Sequence, residues 1–188
     1  MLSIKNSALV IIDIQEKLVL ASKYGDDVAE IASKLAKATN ILNIATIITE
    51  QYPKGLGGTV IEVQNALSQN SSKFEKTSFS ALLEEEFANK IKELKNSGIK
   101  QIVICGIETH ICVLQTALEL MNEGFDVHIV KDACASRNKK EYKTGLELLK
   151  QYGAKITCAE IVLFEWLRSS KHPNFKEIQH NRYGARAS

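Results

Sequence analysis

SALVIID, residues 7–13, is a run of uncharged residues that ends at the carboxylate of Asp13. A continuous apolar run of this length is typical of a strand covered on both faces, as in a parallel sheet. We therefore interpret Ser7 to Ile12 as the first strand of a parallel sheet. Asp13 is then the first polar side chain beyond its carboxyl end.

Helix and strand patterns alternate along the rest of the chain. Apolar residues recur at helical spacing over residues 26–42, and the run IATIIT predicts a second strand at 44–49. Further helices are predicted at 83–96, 110–122, 139–152 and 159–168, and further strands at 101–105, 126–130 and 154–157. The alternation favours an α/β fold with three layers, built on a doubly wound, mostly parallel sheet of about six strands.

Residues 50–77 form the least periodic part of the sequence. They contain Pro53 and three glycines, and within them only residues 60–67 have the pattern of a short helix. We expect a long connection here, and long connections often carry functional residues.

Length and charge limit the class of protein. A chain of 188 residues fits one domain, which we place at 1–170, followed by a C-terminal tail at 171–188. The 24 basic and 22 acidic residues nearly cancel, so we expect a small-molecule substrate rather than nucleic acid or a membrane surface. The first residues lack the pattern of a secretory signal, and no apolar run has the length of a membrane span, so we expect a cytoplasmic protein.

The four cysteines show no metal-site spacing. Cys105, Cys112, Cys134 and Cys158 form no C-x-x-C pair and have no histidine at zinc-like spacing, so we interpret them as free thiols. A free cysteine usually packs as a small buried apolar residue. Any chemical role must therefore distinguish one cysteine from the others.

Cys112 is distinguished by its expected place in the fold. In open parallel sheets, ligands bind at the carboxyl ends of the strands, where the winding direction reverses. If the strands that end near Asp13 and Cys105 are neighbours, Asp13 and Cys112 meet at one crevice. Thr109 as N-cap would put Cys112 in the first helical turn, where the helix dipole favours a thiolate. The alternatives are that Cys112 only packs on its helix and that Asp13 only caps a turn.

Three segments resemble the signatures of a known enzyme superfamily. ALVIIDIQ (8–15), KTSFSAL (76–82) and VICGIETHICVLQTALEL (103–120) are similar, in this order, to motifs of the isochorismatase-like cysteine hydrolases. VHIVKDACASR (127–137) and HPNFKEIQ (172–179) resemble the isochorismatase-domain-containing subgroup in particular. The resemblance covers nearly the whole chain.

The resemblance implies a catalytic triad. Cys112 would be the nucleophile, Asp13 the general base, and Lys76 the cation that holds thiolate and carboxylate together. It also implies a cis peptide between Ile107 and Glu108, which would turn the Glu108 amide toward the Cys112 amide to form an oxyanion hole. Composition alone would not select Lys76 from the many lysines.

The resemblance further implies hydrolysis of an amide-like C–N bond through a thioester, without metal or organic cofactor. Relatives that hydrolyse nicotinamide carry Asp and His metal ligands after the second strand, whereas this chain reads TEQYPKGLG at 49–57, without histidine. True isochorismatases lack the nucleophilic cysteine, which Cys112 supplies here.

Four further residues are candidates for the pocket wall: Gln15, Tyr52, Phe79 and His110. Each has a packing role as its alternative, and for His110 the alternative is a surface position in the first helical turn. The tail HPNFKEIQHNRY either packs on a second copy, which would make the protein a homo-oligomer, or folds back on its own domain.

Two other functional classes remain open. The fold could serve as a binding or scaffolding module, which a Lys76 side chain directed away from Cys112 would favour. A thiol redox role would use Cys105 or Cys134 as the partner of Cys112.

Overall fold

A parallel sheet of six strands forms the centre of the molecule. A computed structural model describes residues 1–183. The strands are β1 Ser7–Ile12, β2 Ala45–Gln51, β3 Ser72–Lys76, β4 Gln101–Ile107, β5 Asp126–Ala135 and β6 Lys155–Thr157. Their order is β3-β2-β1-β4-β5-β6, and every pair of neighbours is parallel. The predicted α/β fold class is confirmed.

Helices cover both faces of this sheet. They are α1 Glu16–Ala21, α2 Gly25–Leu42, α3 Pro53–Leu56, α4 Ile61–Gln64, α5 Glu85–Asn96, α6 Leu114–Asn122, α7 Lys139–Gln151, α8 Ala159–Leu167 and α9 Phe175–Tyr183. Two 3-10 turns, Ile4–Asn6 and Ala81–Leu83, and a π-helical turn, Thr109–Val113, complete the helical segments. Within residues 1–183, none of the helices has the length and apolar character needed to span a membrane.

Alternation along β1 divides the core into two layers. Leu9 and Ile11 belong to the cluster that packs with α2 and α8, whereas Ala8, Val10 and Ile12 belong to the cluster with α5 and α6. Successive side chains of a strand point to opposite faces, so a strand covered twice has no solvent-facing position to fill with polar residues. This explains the uninterrupted apolar run of β1.

The winding direction of the sheet reverses beside β1. The chain proceeds from β1 outward to β3 and then returns to β4 on the other side of β1. Ile12 pairs with Thr49 of β2 and with Gly106 of β4. The carboxyl ends of these three strands therefore meet at one edge, where a crevice between the outgoing connections is expected.

The predicted long connection at 50–77 contains a strand that the sequence pattern does not reveal. β3 reads SKFEK and lies at the edge of the sheet, where half-buried and exposed residues alternate before the buried Lys76. An edge strand needs no apolar run, because one side and part of one face contact water. Helix α1 was also not predicted, and β5 extends past residue 130 through exposed Lys131 and Asp132.

The described part of the C-terminal tail folds back on its own domain. Ile178 of α9 is buried in the core, the Asn181 side-chain amide donates to the Lys34 carbonyl at 3.0 Å, and Phe175 packs edge-on against Phe164. Of the two alternatives for the tail, the structure shows the intramolecular one for α9. Residues 184–188 of the predicted tail lie outside the described part of the chain.

Gly106 allows β4 to approach the end of β1. Its φ is +148°, and a Cβ atom at this position would lie 2.1 Å from the carbonyl oxygen of Ile12. The obstacle is backbone of the central strand, which cannot move without disturbing the sheet.

Substitution Gly106→Ala is expected to lower the free energy of unfolding by about 1–3 kcal/mol, the usual cost of forcing extra volume into a packed interior. Urea titration monitored by circular dichroism measures this. Gly58→Ala is the matched control, since its added Cβ would meet atoms no closer than 3.8 Å. Equal unfolding midpoints for the two variants would contradict the assigned close approach.

Candidate active site

Asp13 lies fully buried at the carboxyl end of β1. Its backbone has a φ of 51°, in the left-handed region that Asp tolerates better than most residues, and its N–H donates to the Thr49 carbonyl at 3.1 Å. The Thr49 hydroxyl donates to Oδ1 at 2.7 Å, and the Lys76 ammonium lies 2.7 Å from Oδ2. Both carboxylate oxygens are thus engaged.

Lys76 reaches Asp13 from the far side of β2. It is the last residue of β3, and only 1% of its side chain is exposed. Besides Asp13, its Nζ donates to Gln51 Oε1 at 2.6 Å and to the carbonyls of Ser78 and Phe79 at 3.2 and 3.3 Å. An ammonium has three N–H donors. Its three hydrogen bonds to neutral oxygens and its ion pair with Asp13 Oδ2 hold the ammonium in place.

Cys112 lies in the π-helical turn that follows β4. The prediction that Thr109 caps an α-helix is wrong, because Glu108 precedes the turn and no side chain caps it. The Thr109 hydroxyl instead donates to the Ala135 carbonyl at 3.0 Å, which ties the turn to the end of β5. Cys112 is buried beside Asp13 and Lys76 without the helix-capping geometry that the sequence suggested.

The thiol of Cys112 is protonated at neutral pH. Burial and the neighbouring Asp13 carboxylate raise the pKa of this thiol, the Lys76 ammonium partly opposes them, and together they bring the pKa to about 12. The sequence predicted that a helix dipole favours the thiolate, whereas burial and the Asp13 carboxylate favour the protonated thiol. A carboxylate beside a thiol favours the protonated S–H form, and this proton can be transferred to the carboxylate.

The peptide bond between Ile107 and Glu108 is cis, at the position that the resemblance implies. The Glu108 side chain is buried, and its Oε1 accepts hydrogen bonds from the Arg137 backbone N–H and from Arg137 Nε, both at 3.0 Å. Glu108 thereby connects the start of the Cys112 turn to the segment that follows β5.

Tyr52 and Phe79 lie near the Lys76 end of the site. Tyr52 is half exposed and lines a cavity of about 300 Å³ together with Lys76, Thr77 and Glu84. Phe79 has an exposed ring, and its carbonyl accepts from Lys76. Both positions are compatible with the predicted pocket wall.

Gln15 and His110 have other contacts. The buried Gln15 amide donates to the carbonyls of Gln51 and Gly57 and accepts from the Gln51 N–H, so it supports the end of β2 and does not line the pocket. His110 Nδ1 lies 3.0 Å from the Ser136 hydroxyl, and the residue lines a separate cavity of about 270 Å³ against α7. The structure therefore does not bring these two predicted residues to the Cys112 thiol.

Two residues of the site were missed in the sequence. Thr49 holds Asp13, and Gln51 holds Lys76. Both lie at the carboxyl end of β2, the strand that pairs with β1. Their sequence signal was that they are polar residues at the end of a strand, beside the predicted site at the end of β1.

The residues after β2 do not form a metal-binding cluster. Within residues 1–183, no three His, Cys, Asp or Glu side chains are grouped so that they could hold a metal ion. The buried Glu50 carboxylate accepts from the Thr59 N–H and hydroxyl and lies 3.3 Å from the Lys73 ammonium. Burial raises the pKa of Glu50, but these contacts outweigh it and leave the pKa below its usual value.

The other thiols are also unpaired. Cys105, Cys134 and Cys158 are free cysteines, like Cys112. Burial raises the pKa of Cys134 to about 12. A redox role would need one of these sulfurs beside Cys112. The groups that influence the pKa of the Cys112 thiol are instead Asp13 and Lys76, so the contacts do not favour a redox role.

Comparison with known sequences identifies a family. The model of the Isochorismatase domain matches residues 7–161. Isochorismatase domain-containing protein 2 of Xenopus laevis is 39% identical over 175 residues, which cover 93% of this chain and 82% of that protein. Isochorismatase domain-containing protein 1 of Danio rerio is 40% identical over 178 residues, 95% of this chain and 61% of that protein.

Solved structures share the fold. The structure titled MAR1 ribonuclease from Caenorhabditis elegans has a TM-score of 0.90 and 37% identity, and covers 96% of this chain and 91% of its own. YcaC from Pseudomonas aeruginosa, described with hexane-2,5-diol and covalent acrylamide, has a TM-score of 0.86 at 25% identity. The match covers 97% of this chain and 91% of that one. YcaC from Escherichia coli, titled an octameric hydrolase of unknown specificity, has a TM-score of 0.87 at 24% identity and covers 97% and 90%.

Substitution Asp13→Asn is expected to lower the pKa of the Cys112 thiol, because it removes a neighbouring negative charge and leaves Lys76 in place. A thiol whose pKa lies far above ambient pH gains about tenfold in thiolate for each unit that its pKa falls. Alkylation of Cys112 by iodoacetamide near pH 8, followed by peptide mass mapping, should therefore be faster in Asp13→Asn than in the wild type.

The matched control is Thr49→Val, which removes one hydrogen bond to Asp13 but keeps its charge. Circular dichroism must accompany both variants, since leaving Lys76 without its partner costs about 3–5 kcal/mol. Slower alkylation of a folded Asp13→Asn protein at every pH would show that Asp13 favours the thiolate, contrary to the geometry.

Proposed function

This chain belongs to the isochorismatase family, whose fold supports a hydrolase, and we propose that it is a cysteine hydrolase acting on a small amide-like molecule. In this proposal Cys112 attacks the carbonyl carbon, the C–N bond breaks, and a thioester forms and is hydrolysed. The observation that carries the proposal is the buried Asp13–Lys76 ion pair beside a protonated thiol.

Acylation begins with transfer of the Cys112 proton to Asp13 as sulfur attacks the substrate carbonyl. A free thiol with a pKa of about 12 is a weak nucleophile, so the proton must leave during the attack rather than before it. The Asp13 carboxylate is the adjacent base that can take this proton. Asp13 then returns the proton to the departing nitrogen as the tetrahedral intermediate collapses.

Lys76 holds the Asp13 side chain in place beside the thiol during this exchange. Its ammonium is enclosed by oxygen acceptors and pairs with Oδ2, while Thr49 holds Oδ1. We assign Lys76 an electrostatic role: it stabilises the negative charge that passes between sulfur and carboxylate.

The backbone N–H groups of Glu108 and Cys112 are the proposed oxyanion donors. Both belong to the segment that starts the π-helical turn after β4, at the edge of the sheet where Asp13 lies. Amides at the start of a helical turn lack partners from a preceding turn and suit a developing negative charge.

In deacylation, water is the nucleophile and the Cys112 sulfur is the leaving group. Water attacks the thioester carbonyl, Asp13 accepts a water proton, and the C–S bond breaks as Cys112 recovers its proton. Each step uses residues of this chain, and we propose a reaction without metal or organic cofactor. Activity that survives dialysis against EDTA would support this part of the proposal.

A binding or scaffolding module is the less supported alternative. A module of this kind would not need Lys76 to be directed at Asp13 and Cys112 from across β2. Three chemically complementary side chains in one buried position are costly to assemble without a catalytic use.

Ribonuclease activity is a second candidate, favoured by the name of the similar C. elegans structure. Phosphodiester cleavage would need cations free to meet phosphate oxygens. Lys76 is buried and already paired with Asp13, so the site suits a carbonyl substrate better.

We also propose that the protein forms a homo-oligomer. Leu20 and Ile61 have 83% and 59% of their surface exposed, and together they line a cavity of about 550 Å³ with Val19 and Val60. Exposed apolar side chains that share a cavity often lie in protein interfaces. YcaC of E. coli, which shares the fold, is described as octameric.

Light scattering coupled to size-exclusion chromatography should give a mass that is a multiple of 20.9 kDa. Leu20→Glu combined with Ile61→Glu should reduce that mass, since it replaces the two exposed apolar side chains by carboxylates in a cavity wall that already holds acidic residues. A monomeric wild type at micromolar concentration would exclude a stable assembly.

Substitution Cys112→Ala should reduce hydrolysis of small amides by at least about a thousandfold, because it removes the nucleophile. Release of ammonia or amine from a panel of amides, ureas and carbamates identifies the substrate. Intact-mass measurement after exposure to acrylamide should show an adduct on the wild type at Cys112 and none at that position in the variant.

Cys158→Ala is the matched control, since it removes a partly exposed thiol far along the chain from the site. RNA should be included in the substrate panel. Cleavage of RNA that depends on Cys112, without cleavage of any amide, would replace the proposed function with the second candidate.

A further inference from the structure

A cavity of about 580 Å³ opens beside the outer edge of β5. β6 pairs with β5 only as far as Val130, so within residues 1–183 no strand covers the outer side of residues 131–135. An open strand edge presents backbone groups that can pair with another chain. The cavity lies between this edge and the first turns of α2 and α7, and it contains none of the three proposed catalytic residues. We call it the β5-edge cavity.

The floor of the β5-edge cavity is apolar and held in place. Val28 and Ala135 are buried there. The Tyr142 hydroxyl donates to the Lys131 carbonyl at 2.8 Å, which ties α7 to the strand edge. Tyr24, in contrast, leaves 45% of its surface exposed at the wall. Exposed tyrosines beside an apolar floor are common in the central part of protein interfaces.

The two walls of this cavity carry opposite charges. Asp27 lies on the α2 wall, whereas Lys131 and Lys139 lie on the wall formed by β5 and α7. All three residues are exposed, and among residues 1–183 the structure records no ion pair for any of them. One anionic group therefore lies across the cavity from two cationic groups, each without a charged partner in the described chain.

The other carboxylates that line the cavity have partners within the chain. Glu30 Oε1 lies 2.6 Å from the Lys34 ammonium, one turn further along α2. Asp132 Oδ1 accepts from the Ala159 N–H at 2.9 Å, at the start of α8. These contacts engage Glu30 and Asp132 and leave the contrast between the two walls to Asp27 and the lysines.

A surface with opposite charges on its two walls is complementary to itself. In a two-fold contact the same patch meets its own copy, so the α2 wall of one subunit faces the β5–α7 wall of the other. Resting on the homo-oligomer of the proposed function, we propose that a second copy of this chain docks on the β5-edge cavity through a two-fold contact. Asp27 of each subunit then lies opposite the partner's Lys131, and the contact contains this pair twice.

This contact is separate from the one proposed at Leu20 and Ile61. Glu30 lines both cavities, so the two surfaces adjoin along α2 without coinciding. Two different contacts on one subunit allow a closed assembly larger than a dimer. Removing the contact at Leu20 and Ile61 should therefore leave a dimer held by the β5-edge cavity.

The test reverses each charge separately and then both together, in the wild type and in the Leu20→Glu, Ile61→Glu chain. Asp27→Lys brings two ammonium groups together, and Lys131→Glu brings two carboxylates together. Each change alone should raise the dissociation constant of the dimer by about tenfold or more, as expected when two exposed ion pairs become like-charge pairs. Sedimentation equilibrium measures this constant.

The combined variant Asp27→Lys with Lys131→Glu restores opposite charges at both positions. Its dissociation constant should return to within about threefold of the unchanged chain, which isolates the pairwise interaction. An equimolar mixture of the two single variants should also associate more tightly than either variant alone, because both contacts of the mixed pair again join opposite charges.

Lys143→Glu is the matched control, since it reverses the same charge on α7 one turn beyond Lys139 and outside the cavity. It should leave the dissociation constant within about twofold, as expected for a solvated surface charge. Circular dichroism establishes that each variant is folded.

Equal association of the unchanged chain, Asp27→Lys and Lys131→Glu would overturn the contact at this cavity, and so would weakening that neither the combined variant nor the mixture reverses. Both results leave the hydrolase intact, because acrylamide labelling of Cys112 tests the nucleophile independently of assembly. A wild-type chain that stays monomeric would overturn the proposed oligomer and this contact together.

Discussion

The Asp13 carboxylate and the Lys76 ammonium meet at 2.7 Å with essentially no solvent contact on either side chain. Removing two charges from water costs several kcal/mol for each, and only close contact and further hydrogen bonds recover that cost. Here Thr49 supplies the missing donor to the carboxylate, and Gln51 with two backbone carbonyls supplies the missing acceptors to the ammonium. The ends of three neighbouring strands must therefore be aligned to within hydrogen-bonding distance before the thiol has a partner. The register of the sheet therefore determines whether the Asp13, Lys76 and Cys112 side chains can meet.

The state of the thiol follows from this arrangement. A cysteine near a helix start is usually discussed as a thiolate stabilised by the dipole, but Cys112 is buried, and the nearest anion opposes ionisation. The site resembles a general-base system more than a preformed ion pair of sulfur and cation. Under the proposed function, such a site would react with a positioned carbonyl and would be slow toward reagents that attack only a free thiolate.

Sequence patterns predicted the central strands and the crevice because these depend on burial, which alternation and apolar runs report. They did not reveal β3, whose SKFEK sequence satisfies an edge position with charges. The role of Lys76 was consequently available only from family resemblance, since its partner lies two strands away. Thr109 has the composition of a helix cap but uses its hydroxyl on Ala135, a contact between segments far apart in the chain. Gln51 was missed for the same reason: its importance lies in which distant side chain it contacts. Local patterns encode exposure and turn geometry and do not encode pairing across the sheet.

Gln15 holds the backbone on both sides of the loop that carries Tyr52, through Gln51 at one end and Gly57 at the other. The Gln15 side chain thus holds this loop through backbone atoms alone, and these contacts do not involve the outward-facing side chains of the loop. Under the proposed function, substitutions at those outward positions would change substrate preference while Asp13 and Lys76 keep their contacts. Related proteins that keep this anchor could therefore differ in substrate specificity while they retain the same catalytic residues.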